Sequence, residues 1–131
     1  MSARPPVVLI AARDEAPRLP ATLCALRAAL PGARIVVADD GSRDATATVA
    51  RDAGAEVVRS ERPLGKGGAA TLAARAVLDA TTAPDPPIVL LCDADLGQSA
   101  GRLTALVDAV ERGDADLAVA VFARRVGGGV G

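Results

Sequence analysis

The chain has 131 residues, half of them apolar, and a formal net charge of -1, which is enough for one domain with its own core. That balance argues against nucleic acid or a polybasic membrane contact as partners, and no apolar run approaches the roughly 20 residues of a membrane span. With no His, Trp or Tyr and Phe122 as the single aromatic residue, histidine metal sites, Ser-His-Asp triads and base-stacking platforms are excluded.

Met1 to Pro6 leads straight into a strand without the shape of a signal peptide, so a cytoplasmic protein is expected. The first strand is Val7 to Ala11. The first helix spans about Arg18 to Leu30, with Leu19, Leu23, Leu26 and Leu30 on one face, and Pro31-Gly32 stops it. A second strand, Arg34 to Ala38, precedes a helix that starts near Asp44, with Ser42 or Asp44 as its N-cap, and ends before Gly54. Glu56 to Arg59 is a third strand, and a loop over Ser60 to Gly65 opens a third helix, about Gly68 to Ala80. After the proline-rich linker Ala83 to Pro87, Ile88 to Cys92 reads as a fully buried fourth strand. A fourth helix over Ala100 to Arg112 turns Leu103, Leu106, Val107 and Val110 inward, and Leu117 to Phe122 is a fifth strand. This alternation predicts an α/β, Rossmann-like, three-layer domain with a mostly parallel sheet of about five strands and helices on both faces. The domain covers residues 1–122, and the glycine-rich 123–131 is a flexible tail or a truncation point. Cys24 and Cys92 are far apart in apolar surroundings and are expected as reduced core residues.

Chemistry collects at the ends of the strands, where open parallel sheets bind ligands. Asp93-Ala94-Asp95 follows the fourth strand. Two carboxylates at i and i+2 can hold a hard divalent cation, with a ligand phosphate completing its shell, whereas a helix cap would need only one of them. Asp39-Asp40-Gly41-Ser42 follows the second strand. Asp40 can accept a hydrogen bond from a base or ribose, and Gly41 lets a ligand approach the backbone; the competing reading is a plain Asp-Gly turn with Ser42 capping the next helix. Gly65-Lys66-Gly67-Gly68 opens the third helix, where backbone N–H groups and a lysine charge attract phosphate. It does not fit the P-loop spacing, because Thr71 comes too late. Lys66 is also the only lysine among 15 basic residues, which weighs against a merely solvated loop. Ala11 to Glu15 either lines a base pocket or places Asp14 and Glu15 favourably at the start of a helix.

Taken in order, VVLIAARDEAPRLPATL, IVVADDGSRDATATVARDAGAEVV, RPLGKGGA and IVLLCDADLG resemble the nucleotide-binding half of a family 2 glycosyltransferase of the GT-A fold. Each stretch is weak alone; four in the right order on the right elements are specific, and they cover the chain up to about Phe122. The resemblance implies transfer of a sugar from a UDP-, GDP- or dTDP-sugar to an unknown acceptor. It also implies that Asp40 contacts the base or ribose while Ala11, Ala12 and Glu15 shape the same pocket. Gly41, Ser42 and Ala94 belong to the same nucleotide-sugar-binding set. By the same resemblance, Lys66 is expected near the diphosphate, and Asp95, with help from Asp93, is expected to hold Mg2+ or Mn2+ in an Asp-x-Asp pattern. The chain departs from the family where Ala11 and Arg13 replace a proline and an aromatic residue, and where Asp14 replaces an asparagine. Family members continue into an acceptor-binding half, so the catalytic base is expected in a missing C-terminal half.

Two other readings remain open. A nucleotidyltransferase that makes nucleotide sugars would carry a glycine-rich loop after the first strand, and Ala12 to Leu19 contains no glycine. A nucleotide-sugar-binding domain without turnover is compatible with the motifs, as is a homodimer. A dinucleotide oxidoreductase is disfavoured by the lack of Gly-x-Gly-x-x-Gly after the first strand.

Overall fold

Val7–Ala12 (β1), Arg34–Asp40 (β2), Glu56–Ser60 (β3) and Val89–Asp93 (β4) form one parallel sheet in the order β3-β2-β1-β4. The computed structural model describes residues 5–79 and 87–113. Between the strands run helices α1 (Leu19–Ala29), α2 (Thr46–Asp52) and α3 (Gly65–Asp79). After β4 a 3-10 segment, Gly97–Leu103, continues into α4 (Thr104–Glu111). The expected α/β, Rossmann-like architecture is present, with four strands among the described residues. The expected fifth strand, the 123–131 tail and most of the proline-rich linker lie outside them.

The alternation of side chains along β1 divides the core in two. Val8, Ile10 and Ala12 pack with Leu19, Leu23, Leu26 and Leu30 of the α1 region, with Ala50 of α2, and with Leu103 and Val107 after β4. Val7 and Leu9 face the other way, with Val36 and Ala38, onto Ala69, Ala73 and Val77 of α3. Central parallel strands are covered on both faces, which is why β1 and β2 read as nearly continuous apolar runs. The small residues at 69 and 73 let α3 lie close to the sheet.

Four sequence expectations are corrected. β4 is not fully buried: Leu90 and Cys92 point into the core, while Val89 is 39% and Leu91 66% exposed. α3 lies over β1, β2 and β3, so the face of β4 on that side is uncovered among the described residues. An apolar run records hydrophobicity but not which face a neighbour covers. The single fourth helix is a 3-10 segment followed by a shorter α4, with Leu106 and Val110 only half-buried. α3 begins at Gly65, earlier than expected, so its glycines lie within the first turn.

The fourth correction concerns the cysteines. Cys92 is buried, but Cys24 is exposed. The inner stripe of α1 is taken by Leu19, Leu23 and Leu26, and the residue after Leu23 is rotated about 100° away from it. Burial, then the charges of Asp93 and Asp95, push the Cys92 thiol up to about 12, so it stays protonated and inert near neutral pH. A thiol reagent at pH 8 should therefore modify Cys24 in the native protein and reach Cys92 only after denaturation. Cys24→Ser should leave the native protein unreactive; equal rates at both thiols would contradict this packing.

Candidate active site

The strand register brings the carboxyl ends of three strands to one level. Ala11 pairs with Ala38 on one side and with Asp93 on the other, and Ala12 pairs with Asp39. From β1 the chain builds β2 and β3 on one side, and β4 then adds on the opposite side. The order therefore reverses at β1, and a crevice opens beyond the strand ends where it does so. A cleft of about 320 Å3 lies there, lined by Ala11, Ala12, Arg13, Glu15, Asp40, Gly65, Lys66, Asp93, Ala94 and Asp95.

Asp39 and Asp40 are both buried, and strand alternation sends their side chains to opposite faces. Asp39 accepts the Ser42 N–H at 3.0 Å and pairs with Arg59 at 3.2 Å. Asp40 turns toward α3. Its Oδ1 accepts the Leu64 N–H at 2.6 Å and the Ser60 hydroxyl at 3.2 Å, and its Oδ2 accepts the Gly65 N–H at 3.0 Å. A carboxylate at a helix start satisfies otherwise orphaned donors and opposes the positive end of the helix dipole. Gly65 takes a left-handed φ of +82° in making this entry. Gly41 also has positive φ, and a Cβ there would meet the Pro63 nitrogen at 3.3 Å. The close approach at Gly41 is thus made by the loop before α3.

With α3 pinned in this way, Lys66 in its first turn reaches over the cleft. Its ammonium donates to Asp93 Oδ1 at 2.7 Å, with the two side chains 69% and 50% exposed. This bond raises the Lys66 pKa above its ordinary value, helped by the charges of Asp93, Asp95 and Glu15 and partly opposed by burial. Exposed ion pairs of this kind contribute about 0–1 kcal/mol, so the contact is a loose one. Asp95 is exposed, and no hydrogen bond or ion pair holds its carboxylate among the described residues. Glu15 pairs with Arg18, while no ion pair holds Arg13 among the described residues.

The donors fit a divalent cation of the Mg2+ or Mn2+ type in one particular sense. Among the described residues, no three carboxylate or thiol side chains are placed to hold a metal ion by themselves. Asp95 and Asp93 are hard oxygen donors on one solvent-accessible rim. Such an ion is commonly bound by one or two carboxylates, with water and substrate phosphate supplying the rest.

The turn bearing these carboxylates is fastened from below by Thr22, a fully buried residue of α1. Its hydroxyl donates to the Ala94 carbonyl at 2.7 Å and accepts the Gly97 N–H at 2.9 Å. A second fastening joins the loop after β1 to the loop after β2. Asp14 has a φ of +53°, a conformation that Asp and Asn tolerate better than most residues. Its N–H donates to Ser42 Oγ at 2.9 Å, and its Oδ1 accepts the Arg43 N–H at 2.8 Å. In return the Glu15 N–H donates to Thr46 Oγ1 at 3.0 Å and the Ala16 N–H to Asp44 Oδ2 at 3.2 Å. The turn at Asp14 sets Arg13 and Glu15 on the cleft wall.

A sheet in this order, opened where it reverses and bridged there by the start of α3, is the Rossmann-like arrangement of a GT-A domain. Comparison with known families agrees: the model for "Glycosyl transferase family 2" matches residues 7–130. An uncharacterized glycosyltransferase of Mycobacterium bovis is 42% identical over 110 residues, 84% of this chain and 45% of the relative. Uncharacterized glycosyltransferases from two Mycobacterium tuberculosis strains match to the same extent. The chain belongs to glycosyl transferase family 2, and it spans about half the length of these curated relatives. Among the described residues, no helix is long and apolar enough to cross a membrane.

Of the residues singled out in the sequence, Ala11, Ala12, Glu15, Asp40, Lys66, Asp93, Ala94 and Asp95 share the cleft wall. Gly41 and Ser42 are not part of that wall. Ser42 is buried, with its hydroxyl on Asp14 and its carbonyl accepting from Arg59. Sequence reasoning passed over Thr22, whose signal is a lone hydroxyl on an otherwise leucine-lined helix face. It also left Asp14 between a base-pocket residue and a helix-favouring charge, although its place in a position that the family gives to Asn pointed to a left-handed turn.

Thr22→Val keeps the shape and removes both bonds. It should destabilise the chain by about 1–3 kcal/mol in urea denaturation, the range for stranding a buried polar group, and Thr22→Ser should recover most of the loss. A valine variant as stable as wild type would show that the turn needs no fastening. The Asp44 carboxyl is held below its ordinary range, chiefly by the Thr46 hydroxyl and then by the Thr46 and Ala16 N–H groups. With the folded pKa depressed, its stabilisation is complete above the unfolded value of about 3.9 and is lost as pH falls through the lower folded value. Amide signals of Glu15, Ala16 and Thr46 should therefore stay fixed from pH 7 down to about pH 4 and shift together only in stronger acid. Asp44→Asn should abolish that joint step, and a step centred above pH 5 would contradict the assignment.

Proposed function

We propose that this domain holds the nucleoside diphosphate sugar of a metal-assisted glycosyl transfer to an acceptor not identified by these residues. The observation that carries the reading is the meeting of Lys66, Asp93 and Asp95 over one cleft at the reversal point of the sheet. In such a transfer, the acceptor nucleophile bonds to the anomeric carbon and gives its proton to a base, while the bond between that carbon and the β-phosphate oxygen breaks. The nucleoside diphosphate leaves with an added negative charge, and the site must stabilise that charge. Lys66 supplies a mobile ammonium for this purpose. The Lys66 and Gly67 N–H groups in the first turn of α3 add dipoles without intrahelical acceptors. Asp95 and Asp93 would hold Mg2+ or Mn2+, which supplies a further positive charge against the diphosphate.

The remaining wall suits the nucleoside. Ala11, Ala12 and Ala94 give a smooth floor, with Glu15 and Asp40 as acceptors for base or ribose donors. Asp40 Oδ2 takes a single N–H from the protein, which leaves acceptor capacity for a hydroxyl. Arg13 supplies a planar cation able to lie against a base. Gly41 and Ser42 contribute from behind the wall, by seating the loops that carry these groups.

UDP-, GDP- and dTDP-sugars titrated with and without Mn2+ test this reading. Binding should require the metal, and Asp95→Ala should weaken it about tenfold or more, the scale of a lost charged contact of about 1.5–3 kcal/mol. Equal affinity with and without Mn2+, unchanged in Asp95→Ala, would sink the metal-assisted reading. Sugar release or transfer by the bound complex would separate a transferase from a domain that only binds.

A further inference from the structure

Lys66 already occupies one of the two carboxylates to which the cation is assigned. Its ammonium is 2.7 Å from Asp93 Oδ1. Asp95, one residue beyond Ala94, has no ion pair among the described residues, and Glu15 lines the same cleft. We infer that Lys66 is a placeholder cation: it neutralises Asp93 while the cleft is empty and releases Asp93 when a diphosphate draws its ammonium away. This inference rests on the nucleotide-sugar reading above.

The argument is electrostatic and steric. A divalent ion coming to Asp93 in the empty cleft meets an ammonium at contact distance from the same carboxylate. It must displace Lys66 or accept a like charge beside it. A diphosphate removes the conflict, because its oxygens can take the ammonium and the metal together. Metal and nucleotide should thus each improve the binding of the other, with Lys66 as the coupling element.

The local structure allows the movement. The backbone of Lys66 is fixed, since Asp40 grips the preceding Leu64 and Gly65 N–H groups. Its side chain is 69% exposed, and among the described residues its ammonium is held by Asp93. A flexible four-carbon stem with a compact charge can change partner, whereas an arginine fork would grip the carboxylate through two bonds. Every other basic residue of the chain is arginine, so the one lysine stands where an exchangeable cation is needed.

The test is Mn2+ binding to the full chain, read by the electron paramagnetic resonance signal of free Mn2+. It is run without nucleotide and with saturating UDP, GDP or dTDP, each against nucleotide alone. Lys66→Gln should act in opposite directions in the two states. Without nucleotide it should tighten Mn2+ binding by about two- to fivefold, the scale of an exposed ion pair. With nucleotide it should weaken binding by about tenfold, the scale of a lost charged hydrogen bond. Asp95→Asn added to Lys66→Gln should remove the gain. Because Lys66 is exposed, the variant should fold, which circular dichroism can verify. An effect of the same sign in both states, or no gain in the empty protein, overturns the placeholder role. Failure of wild type to bind Mn2+ with any of the three nucleotides overturns the underlying nucleotide-sugar reading as well. The two failures are therefore distinguishable.

Discussion

The grip of Asp40 on the start of α3 is the contact on which the site depends. A buried carboxylate at the last position of β2 takes the N–H groups of Leu64 and Gly65, along with the Ser60 hydroxyl. The helix is thereby fixed at the carboxyl edge of the sheet, and from its first turn the Lys66 side chain reaches Asp93 at the end of β4. Without this contact, α3 would be held to the sheet by the packing of Ala69, Ala73 and Val77, and its first turn, which carries Lys66, would lose its anchor at the strand ends. The energetic logic is that of a helix cap: orphaned donors and a helix dipole are satisfied by one anion that would itself be costly to bury alone. The neighbouring Asp39 faces the opposite way and is neutralised independently by Arg59 and the Ser42 N–H. Adjacent like charges are tolerable here because the strand alternates.

Much of the fold could be read from the chain. The leucine stripe of α1, the buried run of β1 and the alternation of strand and helix each follow from a strong periodicity, and the structure places them where the pattern does. The clustering of Asp40, Lys66, Asp93 and Asp95 was legible for a different reason. In a parallel α/β sheet all strand ends meet at one edge, so acids at the ends of β2 and β4, which flank β1, face one crevice once the order is known. Less legible was anything that depends on coverage. The sequence of β4 is as apolar as that of β1, yet Leu91 is exposed because α3 spans the other strands. Cys24 looks apolar in its local context but lies on the outward side of a helix whose inner side is already full.

Contacts between loops were the least legible. Thr22, Asp14, Asp44 and Thr46 act through a few hydrogen bonds to residues far away in sequence, and no periodicity announces them. Their common role is to convert turns into rigid supports. Thr22 sets the height of the Asp93-Ala94-Asp95 turn, and the Asp14 and Asp44 exchange fixes the wall formed by Arg13 and Glu15. A cleft built from loop residues attains defined geometry in this way, since the loops are tied to buried groups and to one another.

A single lysine placed over the cleft also gives the chain an unusual chemical address. Amine-directed reagents have one side-chain target, Lys66. Its contact with Asp93 raises its pKa, so the neutral, nucleophilic amine is scarcer than on an unpaired lysine. Any ligand that alters that contact changes the rate of acylation. Labelling kinetics at this one nitrogen would therefore serve as a built-in gauge of cleft occupancy, without an engineered reporter.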